Sequence, residues 1–311
     1  MMMYLLLIVG FVLLIKGADF FVDGASSLAG ILKVPSVVIG LTIVSLGTSA
    51  PEAAVSVTAG LTGSNDISLG NVIGSNIFNL LMVVGVCALC FGVKTPKDIL
   101  KRDMWVNIAA SVLLVLIIFN KKISRIEGVI LLVLMVIYLI FVVRSAIKNR
   151  LEEAPTKIMS IPRSLIYIVI GVAAIILGGD LVVDNASLIA QSLGMSETLV
   201  GLTIVAFGTS LPELVTSLTA AKKGDSGIAL GNAIGSCIFN VLFILGLASV
   251  ITPIAATSVL IIDSVILLAI SVIMAVFSVT KGYTNRIEGG FCVALYIAYT
   301  AYIIIRDMQL I

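Results

Sequence analysis

Two glutamates, Glu52 and Glu213, each lie inside an apolar stretch long enough to cross a bilayer. A carboxylate at the centre of a membrane helix costs at least about 2.5–3.5 kcal/mol, so it normally faces a cavity or a partner. Neither stretch holds a Lys or Arg to neutralise its glutamate. Ionised, the pair carries two negative charges, and the natural counter-charge is a bound cation: one Ca²⁺, two Na⁺ or two protons. Thr48 and Ser49 stand four and three residues before Glu52, and Thr209 and Ser210 precede Glu213 by the same steps, which puts these hydroxyls on the carboxylate's helical face. Pro51 and Pro212 lack an N–H, so the carbonyls of Gly47 and Gly208 lose their helical donor and a kink is expected. Free carbonyls at membrane depth are tolerated only where they line a cavity. Further on, Ser75 and Asn79 are i,i+4 on one face, as are Ser236 and Asn240. Carboxylates, carbonyls, hydroxyls and amides form the hard-oxygen set that suits Ca²⁺ and Na⁺.

These residues sit in a repeat. The stretch 40–85, which contains GTSAPE and GSNIFN, aligns without a gap on 201–246, which contains GTSLPE and GSCIFN, with 26 of 46 positions identical at an offset of 161. Repeats of this kind decide a fold before anything else does. The unit extends in both directions. Gly17 and Asp19 recur as Gly178 and Asp180, and Arg125-Ile126-Glu127-Gly128 recurs as Arg286-Ile287-Glu288-Gly289. Apolar runs near the bilayer length predict ten spans, at 2–31, 35–61, 67–92, 103–119, 125–147, 162–191, 196–221, 227–251, 256–279 and 285–305. The unit is therefore five spans present twice: 1–147, a linker over 148–161, and 162–311. Five is odd, so the second copy enters the membrane from the opposite side. That is the inverted-repeat plan of secondary transporters, with the substrate site at the midplane.

Composition agrees. The chain is 60% apolar and 12% charged, with a mean hydropathy of +1.22, against about 25% charged in soluble proteins. An all-α, multi-pass membrane protein is expected; the short alternating strands of a β-barrel are absent. The net charge of +2 gives no reason to expect a nucleic-acid partner, and no protein partner is evident. There is no His, and Cys87, Cys90, Cys237 and Cys292 read as small packing residues. No Walker motif and no nucleophile–base pair is legible, so neither an enzyme nor a bound cofactor is expected. With the N-terminus outside, inner loops hold 14 Lys and Arg and outer segments 4, Lys16 lying within the first span. The positive-inside rule then puts both termini on the extracellular side of the cell membrane.

The bland readings also have weight. Gly70 with Gly74, and Gly231 with Gly235, have the GxxxG spacing that by default means close helix packing. A single membrane Ser or Thr usually bonds its own backbone. Asp19 and Asp180 read as interfacial or structural, with Lys16 an i,i+3 partner for Asp19 only, while Asn71 and Asn232 fit either helix starts or ligands.

At the paired GTSAPE/GSNIFN and GTSLPE/GSCIFN motifs the sequence resembles the Ca²⁺/cation antiporter superfamily, specifically its sodium/calcium exchanger branch. The resemblance implies a ten-helix sodium/calcium exchanger fold with alternating access. Spans two, three, seven and eight would surround the ions while spans one and six slide across them. It implies that Glu52 and Glu213 are the Ca²⁺ carboxylates, helped by the Thr48 and Thr209 carbonyls. Na⁺ would use Ser49, Ser75, Ser210, Ser236 and the carbonyls of Ser45 and Ala206, with Asn79 and Asn240 lining the middle. Asn at both final motif positions resembles the potassium-independent pattern, and GTSxPE in place of GNxxE favours Na⁺ over H⁺ as the coupling ion. A Ca²⁺/H⁺ exchanger using the same Glu pair remains the alternative, and a cation channel a remote third.

Overall fold

The computed structural model describes residues 2–62, 65–97, 99–148, 158–194 and 206–309. The first repeat contains α1 (Met2–Leu32), α2 (Ser36–Thr48), α3 (Ala50–Thr62), α4 (Asn65–Phe78), α5 (Val84–Phe91), α6 (Met104–Ile118) and α7 (Arg125–Lys148). The second contains α8 (Ile161–Ser192), α9 (Ala206–Gly208), α10 (Leu211–Lys222), α11 (Ser226–Phe239), α12 (Leu245–Ile251), α13 (Ser258–Lys281) and α14 (Arg286–Gln309). Among the described residues seven segments are long and apolar enough to cross a bilayer, and α2 with α3 makes an eighth as a bent pair. The fourth expected span is α6 with the π-helical turn Ile99–Asp103 before it. The seventh is α9 with α10; its first part, 196–205, and with it the start of the second motif, lies outside the described residues.

The inversion of the repeats can be read from contacts. The equivalent helices α1 and α8 pack antiparallel, Gly10 against Gly178 and Gly17 against Gly171. Four two-residue strands form two ribbons. Val93 and Lys94 (β1) pair with Thr284 and Tyr283 (β4), and Lys122 and Ile123 (β2) pair with Ala255 and Ile254 (β3). Shifting every residue of the first ribbon by the repeat offset yields the second ribbon with its register kept, as a twofold axis in the membrane plane requires. The axis passes between Asn76 and Cys237, themselves repeat equivalents: Asn76 Nδ2 donates to the Cys237 carbonyl at 3.1 Å, and Cys237 Sγ lies 3.7 Å from the Asn76 carbonyl.

The motif helices are the core. The apolar windows of Ile67–Phe91 and Ser226–Ile251 are each 78% buried, against 33% for α1 and 28% for α8. Ile8, Phe11, Val12 and Ile15 of α1, and Ile166, Val169 and Ile170 of α8, face outward. Lipid is as apolar as these side chains, so such a surface is stable in a bilayer without burial.

The core helices are broken where the chemistry was expected. The axis bends by 49° between α2 and α3, at Ser49, just before Pro51. Asn79–Val83 and Asn240–Ile244 are π-helical turns at equivalent positions, each opened by the motif's last Asn. Such turns concentrate at functional sites because the widened backbone re-aims side chains. One expected pairing is corrected: Asp19 takes Lys223 (3.3 Å), not Lys16, and the same ammonium lies 2.7 Å from Asp23. The folded chain brings the α10–α11 loop against α1, whereas Lys16 points away, exposed.

Candidate functional site

The proline kinks set the geometry. Because the chain breaks at Ser49 and again at Thr209–Ser210, the hydroxyls before each Glu turn away from their own helix and across the axis. Ser49 Oγ donates to Glu213 Oε1 at 2.8 Å, and Ser210 Oγ donates to Glu52 Oε1 at 3.0 Å. The straight-helix expectation, which gave each Glu the serine of its own repeat, is therefore replaced by a reciprocal exchange. Ser236 Oγ completes one side, 2.9 Å from Ser49 Oγ and 3.4 Å from Glu213 Oε1.

A second layer fixes the carboxylates' helices. Asn71 Nδ2 donates to the Glu52 carbonyl at 3.2 Å and to Ser56 Oγ at 3.0 Å. Asn232 Nδ2 does the same to the Glu213 carbonyl and Ser217 Oγ, at 3.3 and 3.0 Å. Both Asn residues are thus positioning residues, well inside α4 and α11. Asn76 went unnoticed in the sequence because its repeat mate is Cys237, so comparing the two copies passes over it. Its Oδ1 accepts from Asn240 Nδ2 at 3.0 Å, which ties Asn240 to the axis.

Glu52, Glu213, Thr48, Ser49, Ser210, Ser236, Asn79 and Asn240 have no solvent exposure, and Ser45 and Ser75 are buried. Ala206 opens α9, as its mate Ser45 opens the last turn of α2. Among the described residues no ion pair involves either Glu. Several oxygens are left over: Glu52 Oε2, Glu213 Oε2, Asn79 Oδ1, Asn240 Oδ1 and Thr209 Oγ1 find no hydrogen-bond partner among the described residues. One unpaired buried polar atom costs about 1–3 kcal/mol, more when charged. Orphan oxygens on five of the expected ligands, two of them carboxylate, are the lining a desolvated cation needs. Alanine at Ser49 or Ser210 removes one charge-assisted bond of about 1.5–3 kcal/mol. Each variant is expected to weaken apparent cation affinity about tenfold or more, as isothermal titration with Ca²⁺ would register.

The described partners of the two motif threonines differ. Thr48 Oγ1 donates to Asn232 Oδ1 at 2.9 Å and seals one side. The repeat-equivalent hydroxyl, Thr209 Oγ1, has no partner among the described residues. Instead Thr209, with Asn71 and Ser75, lines a cavity of about 410 Å³ between α4, α13 and α14. Its lining reaches Arg306, in the last turn of α14 and so at the end of the bundle where that helix finishes.

Comparison with known proteins bears on what such a site does. The family described as sodium/calcium exchanger protein matches residues 2–144 and 163–305. The sodium/calcium exchanger MaX1 of Methanosarcina acetivorans is 34% identical over 95% of this chain and 97% of its own. Inner membrane protein YrbG of Escherichia coli is 38% identical over 80% of this chain and 79% of its own. A solved structure of the sodium-calcium exchanger NCX_Mj, soaked with Na⁺ and Ca²⁺, is 34% identical and superposes with a TM-score of 0.86, covering 97% of this chain and 98% of that one.

Proposed function

The chain belongs to the sodium/calcium exchanger family, and from that membership we propose that it exchanges Ca²⁺ for Na⁺ across the membrane by alternating access at one site shared between Glu52 and Glu213. The observation that carries this reading is the pair of fully buried carboxylates, each with one oxygen held by a serine of the other repeat and one without a partner among the described residues. Ca²⁺ takes the free carboxylate oxygens and the carbonyls of Thr48 and Thr209. Na⁺ ions take the same carboxylates with Ser49, Ser75, Ser210, Ser236 and the carbonyls of Ser45 and Ala206. Asn79 and Asn240 line the space between.

Exchange follows from electrostatics. Two carboxylates in a site without Lys or Arg repel one another, and desolvated unpaired charge costs several kcal/mol. The empty site therefore resists the closed, water-free intermediate that a change of access passes through. Ca²⁺ or Na⁺ neutralises the pair and permits the transition, so each crossing carries an ion. The distribution of basic residues supports an outside location for both chain ends, and the cavity is read as extracellular on that basis.

The test is ⁴⁵Ca²⁺ uptake into proteoliposomes. Vesicles loaded with Na⁺ should take up Ca²⁺ against its gradient, and vesicles carrying only a pH gradient should not. Uptake driven by pH alone would retire the Na⁺ assignments and make the two Glu proton carriers.

A further inference from the structure

The cavity that reaches Thr209 and Ser75 has a charged mouth. Asp263 of α13 and Arg306 near the end of α14 both line it. Arg306 Nη1 donates to Asp263 Oδ1 at 2.7 Å, and Nη2 donates to Oδ2 at 2.9 Å. The carboxylate side chain is 7% exposed and the guanidinium 20%, so the acid is the deeper member and the base the outer one.

The fold does not demand this pair. The positions equivalent to Asp263 and Arg306 in the other repeat are Arg102 and Ser145, and there Arg102 pairs with its chain neighbour Asp103 instead. A tie between α13 and α14 could sit anywhere along their shared length. This one lines the same cavity as Thr209, whose hydroxyl is one of the orphan oxygens of the site. Its net charge is zero, yet it holds two carboxylate oxygens under a single tethered positive charge.

We propose that Asp263 and Arg306 form a charge-selecting gate on this passage: Asp263 is the first carboxylate an entering cation meets, and Arg306 is the tethered counter-ion that the cation displaces. Coulomb attraction scales with charge, so a divalent ion outcompetes the guanidinium at the carboxylate while a monovalent ion only matches it. The gate thereby favours Ca²⁺ over the more abundant monovalent ions at the open face. This role rests on the exchange reading, but the passage's electrostatics can be measured without any transport.

The experiment places a reporter thiol in the passage, Ile303→Cys in a Cys90→Ser background, and compares its modification rates by cationic and anionic methanethiosulfonate reagents of equal size. Asp263→Asn should lower the cationic-to-anionic rate ratio about tenfold, and Arg306→Gln should raise it by as much. The charge-swapped pair, Asp263→Arg with Arg306→Asp, keeps the tie between the helices but puts the cation deeper; its ratio should stay low. A ratio unchanged by both single substitutions, or restored to the parent value by the swap, would overturn the gate and leave a structural tie. In the transport assay, Asp263→Asn should raise the Ca²⁺ KM about tenfold at the face carrying the chain ends and leave the opposite face unchanged. Equal changes at both faces would also overturn it. If the parent protein fails to exchange Na⁺ for Ca²⁺, the transport reading falls while the thiol ratios still decide the gate.

Discussion

Glu52→Gln and Glu213→Gln should each reduce initial ⁴⁵Ca²⁺ uptake by at least about a hundredfold. Removing one member of a buried charge cluster costs about 3–5 kcal/mol, and about 2.7 kcal/mol already corresponds to a hundredfold in affinity. Gln keeps the size of Glu, and its amide oxygen can still accept from Ser210 or Ser49, which now donate to the Glu oxygens at 3.0 and 2.8 Å. What it loses is the formal charge and the second oxygen, the atom that finds no partner among the described residues. The variants should therefore fold. Without added ions their melting temperature should be no lower than that of the parent, because a neutral amide replaces a buried carboxylate. Ca²⁺ should raise the parent's melting temperature by mass action and leave both variants unmoved. Robust Ca²⁺ flux in both Gln variants would remove these residues from the site.

Much of this was legible in the sequence because symmetry repeats it. The offset of 161 predicts the five-plus-five plan, and the twofold-related ribbons and the antiparallel α1–α8 pair carry the same offset. Spans one and six, expected at 2–31 and 162–191, are the helices α1 and α8, which run 31 and 32 residues. The kink was legible at Pro51 because proline removes a specific donor. What a helical wheel could not give was the destination of the hydroxyls beyond that kink. Spacing of three and four residues means a shared face only while the helix continues, and at Ser49 it does not. The π turns at Asn79 and Asn240 were also hidden. Their side chains look like ordinary ligands in the sequence, and no residue pattern there announces the extra residue per turn. Asn76 was lost for the opposite reason, since the axis pairs it with a cysteine. The difference between the halves, Thr48 Oγ1 bonded to Asn232 and Thr209 Oγ1 without a partner among the described residues, has no sequence signature, because the two threonines occupy identical positions of the repeat.

The second large effect concerns neighbouring glycines on α8. Gly178→Leu should abolish exchange and lower the melting temperature in detergent by about 5 °C or more, whereas Gly179→Ala should shift it by less than about 1 °C. A Cβ at Gly178 would lie 2.7 Å from the Leu14 nitrogen and 2.8 Å from the Gly10 carbonyl, both backbone atoms that no rotamer change can clear. A Cβ at Gly179 would meet only Pro212 Cγ, at 3.8 Å, an ordinary contact. Overpacking costs about 1–3 kcal/mol, and here the whole of α1 must move out to relieve it. In lipid that loss has no hydrophobic compensation, because close packing is what joins membrane helices. Equal shifts for the two variants would show that α1 and α8 are held by something other than this backbone contact. The contrast reaches into function. Within the α1–α8 pair glycine meets backbone, but against α2 the pair presents a side chain: a Cβ at Gly47 would meet Phe21 Cζ at 3.0 Å. Backbone-to-backbone packing locks two helices into one body, while a ring tip can pass over a glycine. If the pair slides across the site during exchange, its own interface must be the rigid one and its contact with the core the one that yields, and Gly178→Leu strikes the rigid one.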